Sequence, residues 1–368
     1  MTVIPLRSTG AARRITWTRR LCFATCAIVI GTLLPLAAIT AVDVHLHHKF
    51  ERGVLYNVWG YRGPVLGRKS RGEYRVAVLG GSAAFGFAVR YEESMPALLE
   101  DRIRERQPST RVVNLAYNGE GAYAFIPTME DYAYLRPDAV VLYENYNDLL
   151  SGPSRPTHQV FRRESPVFRL TGYLPLFTIV AREKASVLLY GDTRGVYSQA
   201  YHAQTVFTPG AAKKTGAAIL QSAAAIGESL DRQFDRIVAQ PAAPGRIAAS
   251  ASGCDGTWRA YCGLVHDAIR WARSRHIQVL VVTPPYVLGD QLRAANIAQQ
   301  QEVADMIRKD FAADADVRYV NLGDTIDLSD PSLSFDRMHL TFEGNARIAA
   351  ALAGPVINLR TPHLQPKD

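Results

Sequence analysis

Aspartate and glutamate are missing from the first 42 positions of this 368-residue chain, whereas Arg7, Arg13, Arg14, Arg19 and Arg20 all fall within the first 20. Those arginines supply five of the eight net positive charges, so the rest of the chain carries only a mild surplus. No Lys/Arg cluster interleaved with aromatics and no nucleic-acid-binding motif is present, and a nucleic-acid partner is not expected. Cysteine is scarce, four residues in all, and none stands in a C-x-x-C pair. There is no His-Glu-x-x-His and no carboxylate cluster at ligand spacing, so neither a metal nor another cofactor is expected. Internal repeats are absent as well. What remains is a chain with 48% hydrophobic residues, long enough to bury a full core as one large domain or two small ones.

From Leu21 to Val42 the chain is uncharged and strongly apolar, close to the ~20 residues a helix needs to cross a bilayer. The arginines in front of it predict a single-pass anchor with residues 1–20 as a cytoplasmic basic tail, residues 21–42 in the membrane, and everything after Asp43 periplasmic or otherwise extracytoplasmic. A cleaved signal peptide is the competing reading, because small residues (Ala37, Ala38, Thr40, Ala41) close the segment. Against it, the run exceeds the about 7–15 residues of a signal core, and a cut after Ala41 would put Ile39 where a small residue is wanted. Cys22 and Cys26 lie inside the apolar run. Cys254 and Cys262 flank a short glycine-containing loop in the exported part, where an oxidising compartment would permit a disulfide.

Residues 43–73, rich in His, Arg and Gly, read as a juxtamembrane spacer, with His45, His47 and His48 a solvated patch. Beyond it, short β-branched runs alternate with amphipathic stretches. Strands are predicted at Arg75–Gly80, Arg111–Ala116, Asp138–Tyr143, Ile277–Thr283 and Val317–Leu322. Helices are predicted at Ser94–Arg106 (Leu98, Leu99 and Ile103 inward), near Ala122–Leu135, at Trp258–Arg273 and at Asn296–Phe311. This alternation implies an α/β fold, a three-layer α/β/α domain over residues 74–360 with a mostly parallel five-stranded sheet and a site at the carboxyl ends of its strands. The pattern lapses in an insertion at 149–253. Within it, residues 166–190 are apolar and aromatic, but Arg169, Arg182, Glu183 and Lys184 interrupt them and Gly172 and Pro175 break them. A lid or membrane-surface helix is expected there rather than a second span. Ala211–Glu228 reads as another helix and Pro241–Ser252 as a loop.

Four polar motifs fall at predicted strand ends. Gly80-Gly81-Ser82, with Gly86 behind it, makes a tight turn that leaves a hydroxyl exposed. A serine hydroxyl is a poor nucleophile until a base takes its proton. Asp336-Arg337-Met338-His339 supplies a base and, three residues earlier, a carboxylate to orient it, and Thr341 is a candidate cap for the helix that follows. Negative charge on a tetrahedral intermediate needs donors, which Asn118-Gly119 after the second strand and the Asn147 amide after the third can offer.

In these blocks the sequence resembles the SGNH (GDSL-like) hydrolase superfamily: Gly81-Ser82, Gly119, Tyr146-Asn147-Asp148 and Asp336-Arg337-Met338-His339, in that order, over residues 74–355 apart from the insertion. The resemblance implies a flavodoxin-like sheet, with Ser82 as nucleophile, His339 as general base and then acid, and Asp336 as its orienter. The oxyanion hole would be built from the Ser82 N–H, the Gly119 N–H and the Asn147 side chain. The aspartate usual before the serine is Gly81 here, which removes a polar support around the turn and none of the catalytic groups. The implied activity is hydrolysis of an acyl ester, on an acylated small molecule or an envelope or exported glycan carrying acetyl groups. Acetyl transfer to a glycan, lipid hydrolysis, and a non-catalytic glycan-binding or assembly module are the alternatives.

Overall fold

The computed structural model describes residues 10–360 except 52, 54, 144–145, 153–159, 193–206 and 236–252. The start of the basic tail and the loop read at Pro241–Ser252 lie outside the described residues.

Helix α1 (Gly10–Phe50) runs eight residues past the predicted end of the apolar segment. Its middle is apolar and outward-facing, with Phe23 82% and Ile28 66% exposed, and the span Trp17–Phe50 contains a window of mean hydropathy 2.3. Among the described residues it is the one helix long and apolar enough to cross a membrane, and a signal sequence would share those properties. The chain divides into two compact units, one of residues 1–46 and 176–221, the other of residues 47–175 and 222–368.

In the first unit, Asp43 is buried and its carboxylate accepts the backbone N–H groups of Leu176 (2.9 Å) and Phe177, which opens α8 (Phe177–Tyr190). A carboxylate there satisfies N–H groups that a helix start otherwise leaves unbonded. At 14 residues α8 is about 21 Å long, too short to span a bilayer. The stretch 166–190 is broken where Gly172 and Pro175 predict it, into α7 (Pro166–Thr171) and α8. Helix α9 (Ala211–Asp235) extends the predicted helix by two turns.

The second unit carries the sheet. Strands β1 (Tyr74–Gly80), β2 (Thr110–Asn114), β3 (Ala139–Tyr143), β4 (Gln278–Thr283) and β5 (Val317–Asn321) lie in the order β2-β1-β3-β4-β5, every neighbouring pair parallel. The central strands are buried along almost their whole length, as the near-continuous apolar runs of a sheet covered on both faces require. Helix α3 (Met95–Arg104) packs on α12 (Phe342–Arg360), and α10 (Arg259–Arg273) packs on α4 (Phe125–Asp131) and α11 (Asp290–Asp310). In α3, Leu99 and Ile103 are fully buried as expected, whereas Leu98 is half-buried and Met95 takes the inward place. The predicted Ala122–Leu135 helix is three pieces, α4 flanked by single 3₁₀ turns; the first break falls where Pro127, lacking an N–H, fits only the first turn of a restarted helix, and the second at Tyr132, which leaves helical geometry (φ −107, ψ 17).

Of the histidines read as a solvated patch, His45 and His48 are exposed and His47 is not. His47 is fully buried, each ring nitrogen 2.9 Å from a backbone carbonyl, those of Tyr56 and Leu174, and Tyr61 and Arg62 are 1% exposed. His47, Asn57 and Arg62 thus find partners inside the fold rather than in water.

Cys254 and Cys262 are joined, their Cα atoms 5.5 Å apart, closing a loop whose Gly256 and Trp258 N–H groups both bond the Glu302 carboxylate. Replacing both cysteines by serine is expected to lower stability by about 2–3 kcal/mol, the loop-closure entropy of so short a loop. Denaturant unfolding of the full-length protein with and without reductant checks this, and the double-serine variant should no longer respond to reductant.

Candidate active site

The site begins where β1 ends. Gly80 sits so close to β3 that a Cβ there would run into the Tyr143 carbonyl, and Gly81 leads straight into the single turn α2 (Ser82–Phe85). Gly86 closes that turn in the left-handed region (φ 81), and the N–H groups of Gly86 and Phe87 both bond the Ser82 carbonyl at 3.0 Å. The chain is thereby folded back on itself, which holds Ser82 at the carboxyl edge of the sheet. Two side chains far off in sequence gather the carbonyls on the underside of this turn. Asn114, ending β2, donates to Phe85 O at 3.1 Å while its own Oδ1 accepts Ala116 N–H at 3.1 Å. Arg62 donates to the carbonyls of Phe85, Gly86 (2.5 Å), Val89 (2.5 Å) and Gly53 (2.9 Å) and lies over the Phe85 ring.

The second half comes from the loop before α12. Leu333 and Thr341 pair through Thr341 N–H to Leu333 O (2.9 Å), and Ser334 Oγ and Phe335 N–H both bond the His339 carbonyl. Arg337 takes a left-handed conformation (φ 67), which lets the Asp336 carboxylate turn back on its own loop: Oδ1 accepts the N–H groups of Met338 (3.0 Å) and His339 (2.7 Å), and Oδ2 lies 2.6 Å from His339 Nδ1. Thr341 caps α12 by accepting Gly344 N–H at 3.3 Å, as predicted. Gly344 in turn is needed because a Cβ would strike the Leu333 carbonyl.

His339 Nε2 is 2.8 Å from Ser82 Oγ. A carboxylate only accepts, so the hydrogen of the Asp336 bond is on Nδ1, which leaves Nε2 to accept from the Ser82 hydroxyl. Burial pushes the Asp336 carboxyl up, but the hydrogen bonds from the His339 ring and backbone and from Met338 N–H outweigh it and hold it below the ordinary aspartate range. An ionised carboxylate, an oriented imidazole and a hydroxyl in one line can remove the hydroxyl proton as the oxygen attacks an electrophile. The ring is flanked by Phe87 (centroids 4.6 Å) and Phe335 (6.0 Å), both partly exposed.

Gly119 takes φ 78, with open space where a Cβ would be. Asn147, in α5 (Tyr146–Ser151), donates from Nδ2 to the Glu120 carbonyl at 2.8 Å, which ties the loop after β3 to the loop after β2. Tyr146 anchors α5 through its hydroxyl on Pro285 O (2.5 Å), and Asp148 accepts Ala122 N–H at 2.8 Å while pressing on Gly121, where a Cβ would come within 2.7 Å of its carboxylate. The structure thus hydrogen-bonds His339 to both Ser82 and Asp336, and ties α5, which carries Asn147, to the segment around Gly119 through the Glu120 carbonyl and the Ala122 N–H. Sequence reasoning missed Arg62 and Asn114. A polar residue closing the apolar run Val112-Val113 was a visible signal for the second; nothing local marked the first.

Asp148 titrates in an accessible window. Burial raises its carboxyl from 3.8 to about 6 against the pull of two backbone N–H groups. A raised carboxyl favours the folded state when protonated, so this contribution is full below about pH 4 and is lost as pH rises through about 6, at most about 3 kcal/mol. Asp148→Asn is therefore expected to be more stable than wild type at pH 8, with the gap closing towards pH 4. Thermal melts across that range measure it, and a pH-independent difference would refute the assignment.

A parallel α/β sheet with a hydrogen-bonded serine, histidine and aspartate on its strand-end loops places the chain among α/β proteins whose site lies at the carboxyl edge. The chain belongs to the GDSL-like lipase/acylhydrolase family, whose model matches residues 78–347, from β1 into α12. No curated protein matches the chain. Solved structures are similar at a distance. A catalytic mutant of an acetylxylan esterase from Geobacillus stearothermophilus is 12% identical, covering 79% of this chain and 95% of its own at TM-score 0.40. A GDSL-like lipase from Bacteroides thetaiotaomicron is 13% identical (79% and 91%, TM-score 0.38), and a psychrotrophic esterase from Pseudoalteromonas is 10% identical (77% and 98%, TM-score 0.39).

Proposed function

We propose that this protein is a serine esterase, held to the membrane by α1 with its sheet-bearing unit outside the cytoplasm, which cleaves small acyl esters, acetyl foremost, from an envelope or exported glycan. The observation that carries the chemistry is the relay Ser82 Oγ–His339 Nε2 at 2.8 Å and His339 Nδ1–Asp336 Oδ2 at 2.6 Å. In this reading Ser82 Oγ attacks the ester carbonyl as its proton passes to Nε2, and the oxyanion is met by the Ser82 and Gly119 N–H groups and the Asn147 amide. The imidazolium, steadied by Asp336, then protonates the leaving sugar oxygen. Water repeats the sequence on the acyl-enzyme and frees acetate.

Supporting the location are the arginine-flanked apolar helix and the Cys254–Cys262 disulfide, a bond that persists in oxidising compartments. Supporting a sugar substrate are the exposed faces of Phe87 (42%) and Phe335 (46%) beside His339, apolar planes on which a pyranose ring can lie. The same open edge admits a sugar hydroxyl in place of water, which would make the enzyme an acetyltransferase.

The test uses full-length protein in detergent. A fluorophosphonate probe should label Ser82, p-nitrophenyl acetate should be hydrolysed, and an acetylated oligosaccharide should lose acetyl groups, with acceptor sugars added to reveal transfer by mass spectrometry. Absence of both labelling and turnover across acyl esters and glycan donors would end the enzyme reading; preference for long acyl chains would redirect it to lipid.

A further inference from the structure

Gly119 has no packing of its own to hold its left-handed conformation, since nothing lies within 4 Å of where a Cβ would stand. Its neighbours on both sides are held instead. Tyr117 N–H bonds Gly80 O at 2.9 Å, and Glu120 N–H returns to Tyr117 O at 3.3 Å. Glu120 is buried beneath the loop: its carbonyl takes the Asn147 amide, and its carboxylate takes Phe161 N–H at 2.9 Å and faces the Arg162 guanidinium at 3.4 Å. Arg162 stands at the start of the insertion, on α6 (Phe161–Glu164), and is fully buried. Its remaining donors go to Asp131 (2.8 Å) and Thr128 Oγ1 (2.8 Å) on α4, and its plane lies 4.9 Å from the Tyr117 ring centroid and 5.4 Å from that of Tyr132. One guanidinium therefore grips both flanks of Gly119 and, through Glu120, the carbonyl that orients Asn147.

We propose that Arg162 is a positioning residue for the two oxyanion donors, acting through Glu120, so that α6, within the insertion, belongs to the catalytic apparatus. This rests on the reading of Gly119 and Asn147 as oxyanion donors. An arginine suits the task because its planar fork reaches a carboxylate, a hydroxyl and a second carboxylate at once, which a lysine cannot do.

The experiment compares full-length wild type with Arg162→Met, Arg162→Lys, Asn147→Ala and the Arg162→Met/Asn147→Ala double variant, by steady-state kinetics on p-nitrophenyl acetate and by hydrogen–deuterium exchange. Loss of an oxyanion donor in Asn147→Ala should lower kcat about 10²–10³-fold. Arg162→Met should lower kcat about 30–100-fold with KM within about twofold, Arg162→Lys should fall between it and wild type, and in the Asn147→Ala background Arg162→Met should cost less than about threefold more. Exchange should rise over residues 117–122 while 78–90 and 333–341 stay as in wild type. If Arg162→Met does not fold, Glu120→Gln replaces it, with the same pattern at about tenfold. Multiplicative losses in the double variant, wild-type kcat in Arg162→Met, or unchanged exchange over 117–122 would each overturn the proposal. Should wild type cleave no ester at all, the esterase reading fails by itself, and the exchange comparison alone decides whether Arg162 braces the loop.

Discussion

Ser82→Ala is expected to abolish turnover of acyl esters, with kcat falling at least about 10⁴-fold while the protein folds as before. A serine nucleophile and its base act as a unit, so losing either removes nearly all of the chemical advantage and leaves only what oxyanion stabilisation and binding provide, about 10³–10⁴ over water. The substitution removes one half-buried hydroxyl whose hydrogen bond goes to His339, and the turn around it is held by backbone carbonyls and N–H groups that alanine keeps. Asp336→Asn tests the other end of the relay. An amide presenting its nitrogen to Nδ1 favours the opposite ring tautomer, with the hydrogen on Nε2 facing Ser82, and kcat should fall by about 10⁴. Asp336 Oδ1 also fixes the loop through Met338 and His339 N–H, which an amide oxygen can still accept, so the melting temperature should move little. Steady-state kinetics and fluorophosphonate labelling measure both variants. Labelling of Ser82→Ala at the wild-type rate would mean that another nucleophile does the work.

The same geometry shows why so much of the candidate site could be read from the chain. Ser82, Gly119, Asn147 and the Asp336–His339 pair each follow, or lie late after, an apolar run that forms a strand, and a parallel sheet brings the carboxyl ends of its strands to one edge whatever lies between them. Asp336 and His339 are local to one another, so their pairing needed only a loop able to turn back. The strand positions were legible for the same reason: buried parallel strands are continuous β-branched runs. What the sequence hid was the polar residues that belong to no motif and whose partners are set by tertiary approach. Arg62 sits in a stretch of His, Arg and Gly that looks solvated, and three of its four acceptors are carbonyls more than 20 positions away. Asp43 and His47 carry α1 past its apolar stretch because backbone groups at 174, 176 and 177 receive them, and no periodicity announces that. Arg162 lies where the alternating pattern lapses, and its meaning depends on Glu120 being buried.

Arg62→Met should destabilise the protein by about 3–5 kcal/mol and lower kcat together with it. Arg62 is 1% exposed and its guanidinium donates to backbone carbonyls, so among the described residues no carboxylate shares its charge in a direct hydrogen bond. Burial pulls it down to about 10, which still leaves it protonated at neutral pH. Methionine of similar length refills the volume over the Phe85 ring but removes the guanidinium donor from all four carbonyls; Phe85 O keeps Asn114 and Gly86 O keeps the Val89 N–H, whereas those of Gly53 and Val89 lose the arginine that bonds them. Each unsatisfied group costs about 1–3 kcal/mol, partly offset because a charge no longer has to be desolvated, which gives the range expected for breaking a buried charged contact. Three of the four carbonyls, those of Phe85, Gly86 and Val89, belong to the segment that folds back behind Ser82 and carries Phe87 against His339. Loosening it should let Ser82 Oγ drift from Nε2, and a displacement of about 1 Å at a reacting atom is worth about 10²-fold in rate. Arg62→Lys keeps the charge with three donors on one nitrogen, too few to span carbonyls set on two sides, and should lie between wild type and methionine in both measurements. Denaturant unfolding gives the stability loss and kinetics on a short-chain ester give the rate; a methionine variant with wild-type stability and kcat would mean that the carbonyls behind the turn find other donors and that Asn114 alone secures the serine.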